Sequence, residues 1–373
     1  MFLVFITLFL LVFGLINLYI SRALIDKLDI SARLKRYFRY FLAINFLGIV
    51  GYLLARYAPE SVPNALFFLL SLPIGVLFIL FCTTLLYHLS HTLFGRLPLS
   101  TQRRHFFKKS LDIGSLLVAF GVSAKAVDEA RTLVIEKLDV KLNRLTQPYR
   151  IAQLSDVHIG GLIDQAFIHT VVQKSNRLDP DIVVITGDLV DVALPHAHKA
   201  LTELTQLQSR YGTYFVVGNH EYLHDVRAII AAVKELGITV LENDSCYIGD
   251  KGHGFNLAGV YDVMGYRMDT HLPDIDQALS TVDPQSPTVL LAHQPRFIDE
   301  VPNAVDLMLS GHTHGGQIYP FRALVKMVQP YIEGLHQHTE NLQIYVNRGT
   351  GFWGPPMRLG ASSEITLLRL IPS

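Results

Sequence analysis

The sequence predicts two unlike parts, a multi-pass helical membrane region over residues 1–127 and a layered α/β domain over residues 128–373. Long apolar runs fill the first part, whereas the second alternates short apolar strands with amphipathic helices. Half of the 373 residues are hydrophobic and 17% are charged. That composition is too apolar for an ordinary soluble enzyme and too polar for a channel, so it indicates a mixture of both.

Charge and cysteine content exclude two classes of protein. The 32 Lys and Arg residues balance 32 Asp and Glu residues. Binding to a nucleic-acid polymer is therefore not expected, because counterion release requires a basic surplus. The two cysteines, Cys82 and Cys246, are too few for a disulfide framework or a four-cysteine zinc site.

Three apolar segments are predicted to span the membrane, at residues 1–20, 40–55 and 65–93. The first contains no charge, and its first arginine is Arg22, which favours an uncleaved span over a signal peptide. The third contains Pro73, which is expected to kink the helix rather than end it.

A fourth segment, residues 111–127, leaves the span count at three or four, because Asp112 and Lys125 shorten its neutral stretch. Basic residues concentrate after the first and third spans, which places both connections in the cytoplasm. If the fourth segment crosses, the downstream domain lies outside the cytoplasm. If it lies on the surface as an amphipathic helix, that domain is cytoplasmic. We expect a cell-membrane protein with the domain outside.

Apolar runs in the second part predict an α/β domain. Residues 138–142 alternate apolar and polar side chains, which is typical of a half-buried strand. Buried strands are predicted at residues 150–155, 181–187, 213–218, 288–292 and 306–310. Helix-like stretches at 166–177 and 226–236 lie between them.

Polar side chains follow the ends of these buried strands, where α/β folds place their sites. The strand ends lead to Asp156-Val157-His158, Gly187–Asp191, Gly218–Glu221, His293 and Gly311–Gln317. One such residue is ordinarily a turn residue, but turns do not explain the whole set.

Carboxylate and imidazole together predict a site for Mn, Fe, Zn or a similar ion. Residues two apart on an extended chain point the same way, so Asp156 and His158 are expected to reach one cavity, as are His312 and His314. Asp188 follows a glycine that permits close backbone approach, so its carboxylate could bridge two ions. Thin cavity walls are expected from the glycines at positions 187, 218, 311, 315 and 316.

These blocks, in the order D-x-H, G-D-x-x-D, G-N-H-[ED], H and G-H-x-H, resemble the calcineurin-like metallophosphoesterase superfamily over about residues 130–373. The run GHTHGGQ and the ending NRGTGFWGPPMRLGASSEITLLRL are similar to a membrane-associated, YkuE-like branch. The resemblance implies a two-sheet α/β/β/α sandwich and a hydrolase acting on phosphoric ester bonds.

The resemblance also implies two divalent metal ions per chain and a metal-bridging hydroxide that attacks phosphorus. The implied ligands are Asp156, His158 and His314 for one ion and Asn219, His293 and His312 for the other, with Asp188 bridging. His220 would act as general acid or transition-state stabiliser, oriented by Asp191.

Together these inferences predict a membrane-anchored phosphoesterase acting on a phosphodiester, pyrophosphate or phosphomonoester. A lipid-linked substrate is favoured because it diffuses in the plane of the tethered site. A general nucleotide or cell-wall phosphodiesterase and a non-catalytic metal-bound sensor or scaffold are the alternatives, and the oligomeric state is left open. Protein dephosphorylation is disfavoured. In the pattern typical of protein Ser/Thr phosphatases, Arg-Gly follows the second aspartate, whereas here Val192-Ala193 follows Asp191.

Some residues outside the ligand set have two interpretations. Arg348 and Arg358 could bind substrate phosphate, although loop arginines are more commonly solvated or paired. Trp353 could line an acyl or nucleobase pocket or pack locally. Glu221 is expected to cap a helix or support a ligand rather than catalyse. Surface loops are expected for His196, His198, His336 and His338.

Overall fold

A computed structural model of the protein describes residues 2–56 and 62–373. It divides into two compact units. The first comprises Met1–Glu129 together with Gly354–Leu359, and the second comprises Ala130–Trp353 together with Gly360–Ser373.

The described residues of the first unit form four long helices: α1 (Phe2–Ala23), α2 (Ala32–Ala55), α3 (Asn64–Arg96) and α4 (Thr101–Ala130). All four are long and apolar enough to cross a membrane, and α3 continues through Pro73 as predicted. Large apolar side chains point outward, among them Leu47, Leu86 and Leu117. An apolar outer surface of this kind suits lipid rather than water, so the helices support membrane association.

Asp112, which made the fourth segment ambiguous, is buried and fully partnered in α4. Its carboxylate accepts hydrogen bonds from the Tyr87 hydroxyl at 2.8 Å and the Asp29 backbone N–H at 2.8 Å. Lys108, one turn earlier, donates to it at 2.7 Å. Pairing reduces the cost of burying a charge, so α4 stays helical through this residue.

The second unit, all of whose residues are described, contains twelve strands: β1 (Leu133–Leu142), β2 (Tyr149–Leu154), β3 (Ile182–Thr186), β4 (Thr213–Val216), β5 (Thr239–Val240), β6 (Asp244–Ile248), β7 (Phe255–Gly259), β8 (Thr288–Leu291), β9 (Leu307–Ser310), β10 (Gly334–Gln337), β11 (Gln343–Val346) and β12 (Ser363–Pro372). Its helices are α5 (Gln165–Asn176), α6 (Leu194–Glu203), α7 (Asn219–Leu223), α8 (Val226–Glu235), α9 (Met264–Met268), α10 (Ile275–Leu279) and α11 (Arg322–Val325).

The strands form two six-stranded sheets, in the orders β1-β12-β2-β3-β4-β5 and β10-β11-β9-β8-β7-β6. Strands β2 to β5 are parallel, as are β7, β8, β9 and β11. Val184 and Val289 lie in the core between the sheets. Val183 packs with Val171 of α5 and Ile229 of α8 on the outer side of the first sheet.

Short helices and loops cover the outer side of the second sheet, where Leu290 packs with Phe297. The layers are therefore α/β/β/α, as the motif resemblance implied. Because strands such as β3 are buried on both faces, they have continuous apolar sequences instead of alternating ones.

Candidate metal centre

The predicted site residues meet where parallel strands of both sheets end. The loops after β2 and β3 supply Asp156, His158, Asp188 and Asp191, and the start of α7, just after β4, supplies Asn219 and His220. The segments after β8 and β9 supply His293, His312 and His314. The structure brings this whole set together through the contacts described below. The role of each residue stays a prediction.

One cluster of donor atoms consists of Asp156, His158 and His314, all of them buried, with ligand atoms within 4.8 Å of one another. The two Nε2 atoms of His158 and His314 are 3.0 Å apart, and His314 Nε2 lies 3.5 Å from Asp156 Oδ1. The Asp156 carboxylate is held by the Ser155 hydroxyl at 2.6 Å and by the His312 backbone N–H at 2.8 and 2.9 Å.

A second cluster consists of Asp188, His293 and His312. His293 Nε2 lies 3.2 Å from Asp188 Oδ2 and 3.1 Å from Asn219 Oδ1. The other nitrogen of this ring, Nδ1, donates to the Thr186 carbonyl at 2.8 Å. That hydrogen bond orients the ring and directs Nε2 into the cluster, as is usual for a metal-binding imidazole.

Asp188 lies between the two clusters. Its Oδ2 is 3.2 Å from His293 Nε2 in the second cluster and 3.8 Å from His158 Nε2 in the first. Its Oδ1 accepts the backbone N–H of His220 at 2.8 Å. One carboxylate therefore reaches donor atoms of both sets, which is the position that a bridging ligand requires.

His220 forms a pair with Asp191 beside these clusters. His220 Nδ1 donates to Asp191 Oδ1 at 2.6 Å, and His220 Nε2 is 3.9 Å from Asp188 Oδ2. Burial lowers the pKa of His220, but the Asp188 and Asp191 carboxylates outweigh burial and raise it to about 9. A second imidazole, His224, lies 3.5 Å from Asp191 Oδ1.

The donor atoms fit divalent cations. Burial lowers the pKa of both His158 and His312 to about 3, so each offers a neutral imidazole lone pair. His158 Nδ1 is buried without a hydrogen-bond partner. At these distances the ring nitrogens and oxygens can share protons, and the same lone pairs converge closely enough to hold a cation. Imidazole with carboxylate, and no thiolate, matches Mn, Fe or Zn better than Mg or Ca.

The D-x-H and H-x-H side chains point into the site, but not because the chain is extended there. Asp156, His158, His312 and His314 are not on extended chain; their φ angles are 50°, 54°, 69° and 50°, in the left-handed region. Asp188 is also left-handed, at 50°. Sharp turns, rather than strand alternation, direct these side chains inward. His314 enters the first cluster and His312 the second, which is the division that the resemblance implied.

Glycines at positions 187, 218 and 311 leave room for these side chains, as expected. A Cβ at Gly311 would lie 2.1 Å from Asp156 Oδ2, and one at Gly218 would lie 2.3 Å from Asp188 Oδ1. A Cβ at Gly315 would instead lie 3.0 Å from the Cβ of Ala361, and one at Gly316 would lie 2.5 Å from the Cα of Arg322, away from the donor atoms.

Glu221 supports the centre from behind, in agreement with its expected role. Its Oε2 accepts the backbone N–H groups of Gly218 at 2.6 Å and Asp188 at 3.0 Å. Its Oε1 accepts those of Leu189 at 2.8 Å and Val190 at 3.1 Å. One buried carboxylate thus joins the loops after β3 and β4.

Other residues named from the sequence lie outside the donor clusters. Arg348 pairs with Glu136 and Glu364, each at 2.5 Å, which matches the paired interpretation. Arg358 is fully buried in the segment that groups with the helices. His196 and His198 lie on α6 and His336 on β10, so these three are not in loops. Supporting contacts from Ser155, Thr186 and His224 were not predicted, because serine, a backbone carbonyl and an isolated histidine carry no motif.

Comparisons with known proteins agree with this geometry. The family described as calcineurin-like phosphoesterase matches residues 149–316. A metallophosphoesterase of Helicobacter pylori (strain ATCC 700392 / 26695) is 36% identical over 98% of this chain and 97% of its own. A transmembrane protein with metallophosphoesterase domain from Bos taurus is 37% identical over 69% of this chain and 61% of its own. The metallophosphoesterase YkuE of Bacillus subtilis is 32% identical over 60% of this chain and 79% of its own.

Proposed function

Because the chain belongs to the calcineurin-like phosphoesterase family, and so is a metal-dependent hydrolase of phosphoester bonds, we propose that it is anchored in the cell membrane and hydrolyses a lipid-linked phosphodiester or pyrophosphate with two divalent ions. The proposal includes the division into a membrane region over residues 1–127 and a catalytic domain over residues 128–373. It also places the catalytic domain outside the cytoplasm.

The position of Asp188 is the observation that carries the two-ion proposal. Its Oδ2 faces His158 of one donor set at 3.8 Å and His293 of the other at 3.2 Å. We assign one ion to Asp156, His158 and His314 and the other to Asn219, His293 and His312, with Asp188 shared. Two such ions supply Lewis-acid stabilisation of phosphate charge and lower the pKa of a bound water.

His220 has the geometry of a proton donor to the leaving oxygen. Its Nδ1 is engaged by Asp191 at 2.6 Å, which fixes the ring and leaves Nε2 directed toward Asp188. The hydrogen bond from Nδ1 to Asp191 favours the protonated form of the ring and so raises its pKa. His220 would thus protonate the departing oxygen or stabilise its negative charge, while Asp191 holds the ring in the productive orientation.

The membrane helices support a lipid-linked substrate, since a tethered enzyme and an anchored lipid diffuse in the same plane. A general nucleotide or cell-wall phosphodiesterase would use the same donor atoms. The substrate panel below distinguishes it from an enzyme that acts on lipid-linked substrates. The sensor or scaffold alternative would show metal binding without turnover.

The test is hydrolysis by the detergent-solubilised full chain with Mn²⁺ over a panel of phosphoesters. The panel contains bis(p-nitrophenyl) phosphate, a nucleotide-linked diacyl lipid, phosphatidic acid and a soluble dinucleotide. We expect turnover of the nucleotide-linked diacyl lipid, which contains a pyrophosphate, to exceed that of the soluble dinucleotide. Preference for the dinucleotide would overturn the lipid proposal, and metal uptake with no turnover would overturn the catalytic one.

A matched pair of variants on one strand makes the test specific. Asp188 follows β3, whereas Asp181 precedes it and accepts the Arg150 backbone N–H at 2.7 Å. Asp188→Asn should abolish turnover and remove most bound metal, while Asp181→Asn should preserve both, because an amide oxygen can still accept that hydrogen bond. Retained activity in Asp188→Asn would exclude a bridging role.

A further inference from the structure

A group of exposed apolar side chains is formed by residues 319–328, which closely follow the donor residues His312 and His314, together with Trp353 farther along the chain. The group, here called the apolar rim, consists of Tyr319, Phe321, Leu324, Met327, Val328 and Trp353. Their exposed fractions run from 44% at Phe321 to 79% at Met327. Few exposed large apolar residues are expected in the water-facing surface of one short segment, so this group indicates a contact surface.

The rim segment packs against residues that closely follow the donor residues His293 and His314. A Cβ at Gly316, two residues after His314, would lie 2.5 Å from Cα of Arg322, at the start of α11. Farther along the segment, the Gln329 side chain is buried and its Oε1 accepts the Arg296 backbone N–H at 3.1 Å. The exposed side chains are thus presented by an anchored segment.

Trp353 connects the rim to the proposed proton donor. Its backbone N–H and carbonyl form two hydrogen bonds with the Gln317 side chain, at 3.0 and 2.8 Å. The Trp353 ring centroid is 6.2 Å from that of His220. The apolar surface therefore begins at the site itself.

The charges of the segment suit an anionic lipid surface. Residues 319–330, YPFRALVKMVQP, include two basic residues and no acid. Arg322 is paired with Glu333 at 2.5 Å. Lys326 is exposed and forms no ion pair with any described residue. Exposed apolar and aromatic side chains around a free cation are typical of segments that lie in the membrane interface.

We propose that the apolar rim inserts into the lipid surface and admits the headgroup of a membrane lipid to the metal centre. This inference rests on the membrane anchoring in the proposed function, and it deepens that proposal by naming the surface that meets the lipid. A lipid occupant is favoured over a protein because the same chain carries four helices suited to a bilayer, and because residues 319–330 contain two basic side chains and no acidic side chain to pair with a basic partner.

Trp353 is the chain's single tryptophan, so its fluorescence reports the rim without interference from the helices. The full chain is reconstituted into vesicles of phosphatidylcholine and phosphatidylglycerol, with and without bromine on the acyl chains. We expect brominated lipid to quench Trp353. The control is the Lys251→Trp, Trp353→Phe double variant, because Lys251 is exposed in the turn before β7, at the amino end of that strand. Equal quenching at both positions, or none at Trp353, would overturn the proposal.

Met327→Glu tests the consequence for the reaction. We expect about a tenfold loss of turnover on the nucleotide-linked lipid in these vesicles, the effect of withdrawing one apolar side chain from lipid. Turnover of bis(p-nitrophenyl) phosphate should be unchanged, which also shows that the variant is folded. Gln208→Glu, an exposed substitution before β4, is the charge control and should affect neither substrate.

The two proposals fail separately. If Trp353 is quenched but the lipid is not hydrolysed, the rim proposal stands and the substrate proposal falls. If both substrates lose turnover equally in Met327→Glu, the residue supports the fold and the rim proposal is refuted. If Trp353 is instead buried against a second copy of the chain, bromolipid will not quench it, and the lipid proposal is refuted.

Discussion

Replacing Glu221 by glutamine tests whether one buried carboxylate holds the metal centre together. Glu221 is fully buried, and each of its two oxygens accepts two backbone N–H groups from the loops after β3 and β4. Glutamine preserves size and removes one acceptor oxygen. In either orientation of the amide, its NH₂ group faces two backbone N–H donors. In one orientation these donors are Gly218 and Asp188 itself.

The magnitude follows from those contacts. Two charge-assisted hydrogen bonds are lost, at about 1.5–3 kcal/mol each, so the variant should lose about 3–6 kcal/mol of stability. For a unit of this size, that loss corresponds to a fall of roughly 6–24 °C in melting temperature. Bound metal should fall as well, because the substitution displaces the backbone of Asp188.

The assay is thermal unfolding of the detergent-solubilised full chain, followed by Trp353 fluorescence because that residue reports the catalytic unit, with metal content measured by mass spectrometry. The matched control is Glu235→Gln, since Glu235 is exposed at the end of α8 and its substitution should change neither quantity. A Glu221→Gln protein that melts with the unsubstituted protein and keeps its metal would show that the four hydrogen bonds do not support the centre.

Three further outcomes are expected. His220→Ala should reduce turnover by about 10²–10⁴-fold while metal stays bound; loss of metal in that variant would show that the ring acts as a ligand. Gly218→Ala should lower metal content and turnover together, since its Cβ would lie 2.3 Å from Asp188 Oδ1, and normal metal content would mean that the loop can relax. A reporter fused after Ser373 should be active outside the cytoplasm, and a cytoplasmic signal would mean that the fourth helix does not place the catalytic domain outside.

Apolar runs located the strands that are buried on both faces, because burial on two sides leaves a continuous apolar sequence. The same reasoning could not predict that β12, the last strand, inserts between β1 and β2. That pairing joins Ile365 to Ile135 and Leu368 to Ile151, residues far apart in the chain, and local periodicity contains no record of such partners.

The fourth helix shows the same limit for a membrane segment. In the sequence analysis Asp112 counted as a full charge, which shortened the neutral stretch of the fourth predicted segment. In the structure Lys108 and Tyr87 neutralise and satisfy that carboxylate. Tyr87 belongs to another helix, so the compensation depends on tertiary packing that a scan of one segment does not include.

The candidate donor residues that the sequence motifs named lie together in the structure, and two physical demands select the same side chains. The chain must turn sharply at each strand end to bring the donors together, and Asp156, His158, Asp188, His312 and His314 all adopt positive φ there. Asp, Asn and His tolerate this conformation better than other non-glycine residues do, and Asp and His are also the metal-binding types. A substitution by a residue that does not tolerate positive φ at these positions should therefore remove a proposed ligand and also strain the turn. The residue types in the short motifs thus reflect the backbone conformation as well as the chemistry. The two-residue spacing by itself had predicted an extended strand.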